Sequence, residues 1–284
     1  MILRAFDPWK SELCTCPAKL SLNPYTGCPH GCLYCYASSY IPRFHSCRPK
    51  VDLLRRLDRE AAKVVPGLFI AISNSSDPYP PIEKELGLTR GCLRILKERN
   101  FRVQIVTKSD LVTRDIDLLA AMKAAVAVTV TTLDDSLSLR LEPGAPSPKR
   151  RLFALNELSR AGIPLSARID PIIPGINDCG IEDLVYSLHS AGVRHITSST
   201  YKARPDSIKK ITAAFPEEGA ALKALFSRGG RYSGSSYLPA DLRRSILEDV
   251  ASHAHQTGIT FSTCREGFAF EEGISCDGSH LLPL

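Results

Sequence analysis

The sequence lacks several features that would assign it to a membrane, secreted or fibrous class of protein. It has no run of about 18 apolar residues, which argues against a membrane-spanning helix. Its first residues lack a basic region followed by an apolar stretch and a small-residue cleavage site, so we expect no secretory signal and a cytoplasmic location. Low-complexity segments and internal repeats are also missing. These absences favour an ordinary globular protein without membrane association.

The composition agrees with that class. The chain has 284 residues, of which 44% are hydrophobic and 23% charged, enough for a sizeable core. A net charge of +6 permits a polyanionic partner but does not require one. We interpret the clusters of basic residues as solvent-exposed helix faces, and they lie at Arg55–Arg56, Lys149–Arg151, Lys209–Lys210 and Arg243–Arg244.

Short apolar runs rich in β-branched residues alternate with helical patterns along most of the chain. The predicted strands are Lys19–Asn23, Leu68–Ile72, Arg102–Val106, Val126–Thr131, Leu165–Ile169 and His195–Ser199. The predicted helices between them are Val51–Val65, Gly87–Asn100, Arg114–Lys123, Ser147–Ala161 and Ile181–Ala191. Nearly continuous apolar strands of this kind are typical of a parallel sheet covered on both faces.

This pattern predicts an α/β fold, a partial six-stranded (β/α)6 TIM-like barrel, because a complete barrel needs eight units. Beyond about residue 200 we expect a helical extension, then an apolar run at Gly258–Thr263 and a cysteine-containing tail. No linker separates these parts, so we expect one domain over residues 1–284, with its core at about 18–200 and its extension at about 201–284. In such folds the chemistry lies on the loops that follow the carboxyl ends of the strands.

Three of the ten cysteines lie close together after the first predicted strand. Cys28, Cys32 and Cys35 have the spacing C-x3-C-x2-C. Soft thiolates select zinc or iron–sulfur centres, and three ligands leave one metal position open for chemistry. The spacing favours an iron–sulfur cluster. The alternative is a structural zinc knuckle with His30 or Cys47 as the fourth ligand.

The cysteine loop, with Tyr34 as an aromatic residue before its third cysteine, resembles that of the radical SAM superfamily. The rest of the chain is similar to the branch that contains spore photoproduct lyase. The stretches that carry this resemblance are Asp77–Glu83, Val106–Ser109, Arg114–Leu119, Leu141–Pro148 and Ala161–Asp178. Several motifs in order at strand ends are more specific than any one of them.

The resemblance implies a [4Fe–4S] cluster held by Cys28, Cys32 and Cys35, whose open iron binds S-adenosylmethionine (SAM). Reductive cleavage of SAM would give a 5′-deoxyadenosyl radical that abstracts hydrogen from a substrate. An electron donor such as ferredoxin or flavodoxin is then needed, and nucleic acid is the substrate class of the characterised relatives.

Polar residues at the strand ends are expected to bind SAM. The predicted cofactor-binding residues are Ser76, Asp77, Lys108, Thr129, Glu142 and Arg168. Lys108 is expected to bind the SAM carboxylate, unless it only caps a strand at the surface. Ser76 and Thr129 are equally compatible with ordinary strand-end hydrogen bonds, and Arg168 with a structural ion pair.

Three residues are predicted to take part in hydrogen transfer. Tyr34 and Tyr36 match a pair implicated in the lyases, although Tyr34 would alternatively pack against the adenine. The lyases also have a hydrogen-donating cysteine where this chain reads Ser73–Ser76, which argues against photoproduct repair. Cys264 follows the Gly258–Thr263 run and lies near the active-site end if that strand is parallel.

The remaining cysteines leave a second metal site open. A site built from Cys14, Cys16, Cys264 and Cys276 requires that the amino-terminal arm, the residues before the first predicted strand, folds over the sheet. The alternatives are unpaired thiols or a redox pair. Three functions follow: radical SAM chemistry on nucleic acid, the same chemistry on a peptide or metabolite, or a non-catalytic zinc protein that binds nucleic acid.

Overall fold

The structure is a computed structural model that describes residues 1–6, 11–72 and 75–282. No helix in those ranges is both long and apolar enough to cross a lipid bilayer. Ser73 and Asn74, part of the segment where the lyase cysteine is missing, lie outside the described residues.

The strands are β1 (Arg4–Ala5), β2 (Leu20–Leu22), β3 (Tyr25–Thr26), β4 (Arg48–Pro49), β5 (Phe69–Ile72), β6 (Arg102–Thr107), β7 (Ala124–Thr129), β8 (Leu165–Ile172), β9 (His195–Thr200), β10 (Arg231–Tyr232), β11 (Ser235–Ser236) and β12 (Thr260–Thr263). The main sheet has eight strands in the order β1-β2-β5-β6-β7-β8-β9-β12. All of its neighbours pair in parallel except β1, which is antiparallel to β2.

The predicted partial barrel is confirmed. The six predicted strands are β2 and β5–β9, adjacent in chain order, and β12 extends the sheet in parallel beyond β9. Among the described strands, β1 and β12 form two unpaired edges, so the sheet is not closed.

The helices are α1 (Leu53–Ala61), α2 (Glu83–Leu86), α3 (Leu88–Glu98), α4 (Ile116–Leu119), α5 (Asp135–Leu141), α6 (Pro148–Arg160), α7 (Ile181–Ser190), α8 (Pro205–Ala214), α9 (Pro216–Ser227) and α10 (Ala240–Gln256). Side-chain caps begin two of them. Asp134 accepts hydrogen bonds from the Ser136 and Leu137 amides at 2.7 and 3.0 Å, and Ser147 precedes Pro148 at the start of α6.

The helix predicted over Arg114–Lys123 is much shorter in the structure. A 3-10 turn over Asp110–Asp115 precedes α4. The Asp115 carboxylate is buried and accepts a hydrogen bond from the Tyr79 hydroxyl at 3.1 Å. This side chain therefore ties the turn to the loop after β5 instead of facing solvent on a regular helix.

The two faces of the sheet differ in polarity. Residues such as Ile105, Val126 and Ile196 face the helices and form the main apolar core. The alternate residues on the inner face include Gln104, which hydrogen-bonds the tail, and Arg168. Because side chains alternate along a strand, each strand buries an apolar outer row and a smaller or polar inner row, which leaves the inner face available for polar chemistry.

The carboxyl-terminal tail, residues 264–282, turns back along β12 and then reaches the inner face of the sheet, where Gln104 of β6 donates to the Asp277 carbonyl. The Phe261 amide of β12 donates to the Glu271 carboxylate at 2.6 Å. Further on, the His280 ring packs edge-on against His195, the first residue of β9, with centroids 4.8 Å apart. The tail therefore runs from the carboxyl ends of the strands to their amino-terminal ends.

Candidate active site

The cysteine loop lies between the short strands β3 and β4, in the segment that connects β2 to α1. The Cys28 amide donates to the Phe44 carbonyl at 2.7 Å, which closes the loop on itself. The Leu33 amide donates to the Leu141 carbonyl at 2.9 Å. The loop is thus fixed against the end of α5, at the carboxyl end of the sheet.

Gly27 allows the loop to close this tightly. Its φ is +84°, and a Cβ at this position would lie 2.5 Å from the Phe44 carbonyl oxygen and 2.7 Å from that of Ser46. Both contacts are with backbone, which cannot move aside cheaply.

We expect Gly27→Ala to displace the loop and to cost about 1–3 kcal/mol of stability. The purified variant should retain less iron than the wild type and melt at a lower temperature. Gly67→Ala is the matched control, because Gly67 has a similar φ of +83° but no atom within 4 Å of an added Cβ. Equal iron content in the two variants would contradict this role of Gly27.

The three loop thiols form a soft donor set in a largely buried position. Cys28 and Cys32 are 9% and 8% exposed, and Cys35 is half-buried. Burial raises the pKa of Cys28 to about 12 and also raises the pKa of Cys32 and Cys35. Lys108 opposes this effect at Cys32 and Cys35. The thiols are protonated until a metal displaces the protons, and a nearby cation favours the thiolates.

Zinc would draw its ligands to about 2.3 Å from a single ion. Within ranges 1–6, 11–72 and 75–282 no three histidine, cysteine or carboxylate side chains, those of the cysteine loop included, are grouped closely enough to hold one ion. His30 instead lies with its Nδ1 3.6 Å from the Asp77 carboxylate. Cysteines that each bind a separate iron of a cluster need no such convergence. The donor set and its spacing therefore fit an iron–sulfur cluster.

Glu142 is the centre of a buried polar cluster beside the cysteine loop. Its carboxylate accepts hydrogen bonds from the Tyr34 hydroxyl and, at 3.1 Å, from the Thr131 hydroxyl. It also pairs with Arg151, and both side chains are 0% exposed. Burial alone would raise the pKa of Glu142, but Arg151 and Lys108 lower it below its ordinary value. The carboxylate is therefore ionised and already engaged by groups of the chain itself.

Lys108 lies at the end of β6 with its side chain largely buried. Its Nζ is 3.9 Å from Glu142 and 5.5 Å from the centre of the Tyr34 ring. Its own amide donates to Asp77 at 2.8 Å. Burial alone would lower the pKa of Lys108, but Cys32 and Glu142 raise it, so the ammonium stays charged beside the cysteine loop.

The other predicted strand-end residues have mainly structural contacts. Asp77 accepts hydrogen bonds from the Thr107 hydroxyl and the Tyr79 amide at 2.7 and 2.9 Å. Ser76 is buried in the loop after β5. Thr129 ends β7, where its carbonyl accepts a hydrogen bond from Arg151 at 3.1 Å.

Arg168, Tyr36 and Cys264 form a second group at the carboxyl end of the sheet. The Arg168 guanidinium donates to the Cys264 sulfur and pairs with Asp170. Tyr36 stacks on Tyr40 at 6.2 Å and lies near Cys264. The parallel pairing of β12 brings Cys264 to this end. The two predicted tyrosines have different neighbours, since Tyr34 hydrogen-bonds Glu142 and Tyr36 stacks on Tyr40.

A buried carboxylate that the sequence analysis missed lies next to this group. Glu266 is 1% exposed and binds Lys202 and Arg243 at 2.7 and 2.6 Å. It also accepts a hydrogen bond from the Thr200 amide at 2.8 Å. These contacts anchor the start of the tail to the end of β9.

Two of the basic clusters are not simply solvent-exposed, contrary to expectation. Arg151 and Arg243 are 1% and 5% exposed, whereas their neighbours Arg150 and Arg244 face solvent. Each buried arginine pairs with a buried glutamate. A basic run on a helix is thus divided between the two faces of that helix.

The four cysteines of the predicted second metal site are not brought together. Cys16 and Cys276 are in contact, and Cys14 hydrogen-bonds Cys16, but Cys264 lies beside Arg168. The contact between Cys16 and Cys276 arises because the tail returns to the amino-terminal ends of the strands, not because the amino-terminal arm folds over to their carboxyl ends.

Comparison with known proteins identifies the family. The profile described as the radical SAM superfamily matches residues 22–187, more than half of the chain. An uncharacterised protein of Methanocaldococcus jannaschii is 37% identical over 165 residues, which cover 57% of this chain and 63% of that protein, less than two thirds of its length. A radical SAM Nα-GlyT isomerase of Pseudomonas phage M6 is 25% identical over 86% of this chain and 53% of its own.

The solved structures show the same fold. Spore photoproduct lyase complexed with a dinucleoside spore photoproduct superimposes with a TM-score of 0.68, over 92% of this chain and 79% of the lyase, at 19% identity. The likeness of fold and the family match agree with the cysteine loop at the carboxyl end of the sheet. This chain is an enzyme of the radical SAM superfamily.

Proposed function

We propose that the enzyme uses a [4Fe–4S] cluster held by Cys28, Cys32 and Cys35 to cleave SAM and abstract hydrogen from a nucleoside-containing substrate. The observation that carries the proposal is the set of three loop thiols, two of them buried and one half-buried, beside Lys108. When bound, the cluster and SAM would supply a 5′-deoxyadenosyl radical. As in other enzymes of the superfamily, a one-electron reductant is required, such as ferredoxin or flavodoxin.

The residues around Lys108 are proposed to bind SAM and to orient it. Lys108 offers a charged ammonium for the carboxylate of SAM, and Glu142 and Tyr34 fix its position. Because Glu142 already accepts bonds from several groups of the chain, it acts as a positioning residue. Asp77 has a similar role, since it holds the ends of β5 and β6 together. Ser76 and Thr129 are the remaining polar groups proposed to contact SAM.

A substrate with phosphate groups fits the charge of the surface. A cleft of about 260 Å³ is lined by Arg204, Lys223, Arg231 and Phe226, among others. Arg204 also donates to Ser39 at 3.2 Å, in the 3-10 turn that follows Cys35. Cations and an aromatic ring beside the site are suited to a nucleotide. The solved lyase complex contains a dinucleoside spore photoproduct, which points to nucleosides as well.

The test is anaerobic reconstitution with iron and sulfide, followed by SAM and dithionite. We expect about four irons per chain, absorption near 400 nm, and formation of methionine and 5′-deoxyadenosine. An intact cluster without these products sinks the proposal. The substrate class is tested by binding to a single-stranded oligonucleotide. Affinity for the oligonucleotide should fall steeply as the salt concentration rises. Binding that does not depend on salt would favour a peptide or metabolite as the substrate.

We expect Lys108→Met to weaken SAM binding by roughly tenfold or more, because a charge-assisted hydrogen bond is lost. The variant should keep its iron, which the absorption spectrum checks. Equilibrium binding of SAM to the reconstituted protein measures the effect. Lys149→Met is the control, since Lys149 is 84% exposed. Unchanged SAM affinity in the Lys108 variant would remove Lys108 from the binding site.

Cys264 is proposed to hold an exchangeable hydrogen beside Tyr36 and Arg168. We expect SAM cleavage in D2O without substrate to give partly deuterated 5′-deoxyadenosine. In Cys264→Ala the deuterated fraction should fall by more than half, while total cleavage is maintained. Cys179→Ala, at an exposed free thiol, should leave both quantities unchanged. If Cys264→Ala keeps the wild-type deuterium content, Cys264 is not the donor.

A further inference from the structure

Three thiols meet where the amino-terminal arm touches the carboxyl-terminal tail. The sulfur atoms of Cys16 and Cys276 are 3.3 Å apart, although 260 residues separate them in the chain. Cys14 hydrogen-bonds Cys16 from the same arm. All three are free thiols. A contact of this kind between distant cysteines is a specific result of how the tail folds.

This junction lies far from the reaction end of the sheet. The Cys276 carbonyl accepts a hydrogen bond from the Thr197 hydroxyl on the inner face of β9 at 2.9 Å. The next residue, Asp277, forms a buried ion pair with Lys19, which directly precedes β2. The arm and the tail are therefore held in register by a charge pair next to the thiols, independently of any bond between sulfurs.

The thiols differ in access to solvent. Cys14 and Cys16 are half-buried, whereas Cys276 is 5% exposed. A small oxidant therefore reaches the arm first and the tail thiol second. The hydrogen bond from Cys14 lowers the pKa of Cys16, but the bond to Cys276 and burial raise it to about 12. Since the thiolate is the reactive form, the thiols persist under reducing conditions and react slowly.

We propose that Cys16 and Cys276 are a redox-responsive pair that forms a disulfide and fastens the tail to the amino-terminal arm under oxidising conditions. The oxidant class is a low-molecular-weight disulfide. The Cys16 thiolate attacks one sulfur of the oxidant and releases one thiol, and the Cys276 thiolate then attacks Cys16 and releases the second. Two protein thiols are oxidised, one small disulfide is reduced to two thiols, and no other reactant is needed.

The geometry requires little movement. A disulfide has an S–S distance of about 2.05 Å, so the two sulfurs must approach by roughly 1.3 Å. The tail that would be fastened also carries Glu266, which binds Lys202 and Arg243 at the other end of the sheet. The cross-link thus restrains the far end of a segment whose start is anchored at the end of β9.

The experiment uses the reconstituted holoenzyme, incubated anaerobically for several hours with oxidised glutathione. Free thiols are then alkylated and the protein is digested with trypsin without reduction. Cleavage gives residues 11–19, with Cys14 and Cys16, and residues 266–284, with Cys276. We expect a linked pair of these peptides in the mass spectrum. Digestion of the folded, oxidised protein by chymotrypsin after Phe268 or Phe270 should be roughly tenfold slower, because the cross-link suppresses opening of the tail.

Two variants identify which thiol of the arm forms the disulfide with Cys276. Cys16→Ser should abolish the linked peptide and the protection from chymotrypsin, and Cys14→Ser should keep both. Loss of the link in Cys14→Ser with retention in Cys16→Ser would overturn the assignment. No linked peptide in wild-type protein that still holds its iron would overturn the proposal, as would stoichiometric zinc that Cys16→Ser removes. Thermal melting of each reduced variant checks that it folds.

Discussion

Cys32→Ala is expected to abolish both the cluster and SAM cleavage. Cys32 is buried between Cys28 and Cys35 on a loop fixed at several backbone positions. With one of three thiolates missing, the loop cannot ligate three irons. Reconstituted protein should have little absorption near 400 nm, far fewer than about four irons per chain, and no detectable 5′-deoxyadenosine.

Cys92→Ala is the matched control for the loss of a buried thiol. Cys92 lies on α3, is 0% exposed and packs in the main apolar core. Its truncation should cost about 1 kcal/mol or somewhat more, while iron content and SAM cleavage remain at wild-type level. Full iron and normal cleavage in Cys32→Ala would refute the assignment of the cluster. A loss of iron in Cys92→Ala as well would show that iron only reports on folding.

The main sheet could be predicted because its signal is local. β5, for example, is a run of four buried apolar residues just after Pro66 and Gly67, and such a short continuous run predicts a strand covered on both faces. The short strands β1, β3 and β4 have two residues each and no apolar run. They form because tertiary contacts place them beside a partner, which a window of sequence does not contain.

The buried arginines could have been found from helical spacing. In α6 the buried positions include Arg151, Ala154, Leu155 and Leu158, the spacing of one helix face. A lysine or arginine on that face must pair with a buried acid. Which acid it meets could not be predicted, since Glu142 precedes α6 on another element and Glu266 reaches Arg243 only through the turn after β12.

The position of the tail could not be predicted either. Parallel geometry places the end of β12 at the reaction end of the sheet, and correctly puts Cys264 there. The contact between Cys276 and Cys16 depends on a reversal of the chain that brings Glu271 back to β12. This reversal is held by single side-chain hydrogen bonds, such as that from the Phe261 amide to Glu271, which no periodic pattern encodes.

Arg151→Met is expected to cost about 3–5 kcal/mol of stability, because it leaves the buried Glu142 carboxylate without its main partner. Lys108 does not replace that partner, since its Nζ is 3.9 Å from the carboxylate, beyond hydrogen-bond distance. Methionine keeps most of the volume of arginine, so lost packing contributes little. Thermal unfolding of the holoenzyme should show a midpoint lower by roughly 10 °C.

Arg150→Met provides the control on the same helix. Arg150 is 59% exposed, and its ion pair with Asp110 should contribute only about 0.2–1 kcal/mol. Combining Arg151→Met with Glu142→Gln removes both buried charges, so the double variant should be more stable than Arg151→Met alone. If the double variant is instead less stable, the cost of Arg151→Met comes from packing or from the bond to the Thr129 carbonyl. Recovery in the double variant would show that the unpaired carboxylate is the cause, and that Arg151 stabilises the charge on which the position of Lys108 depends.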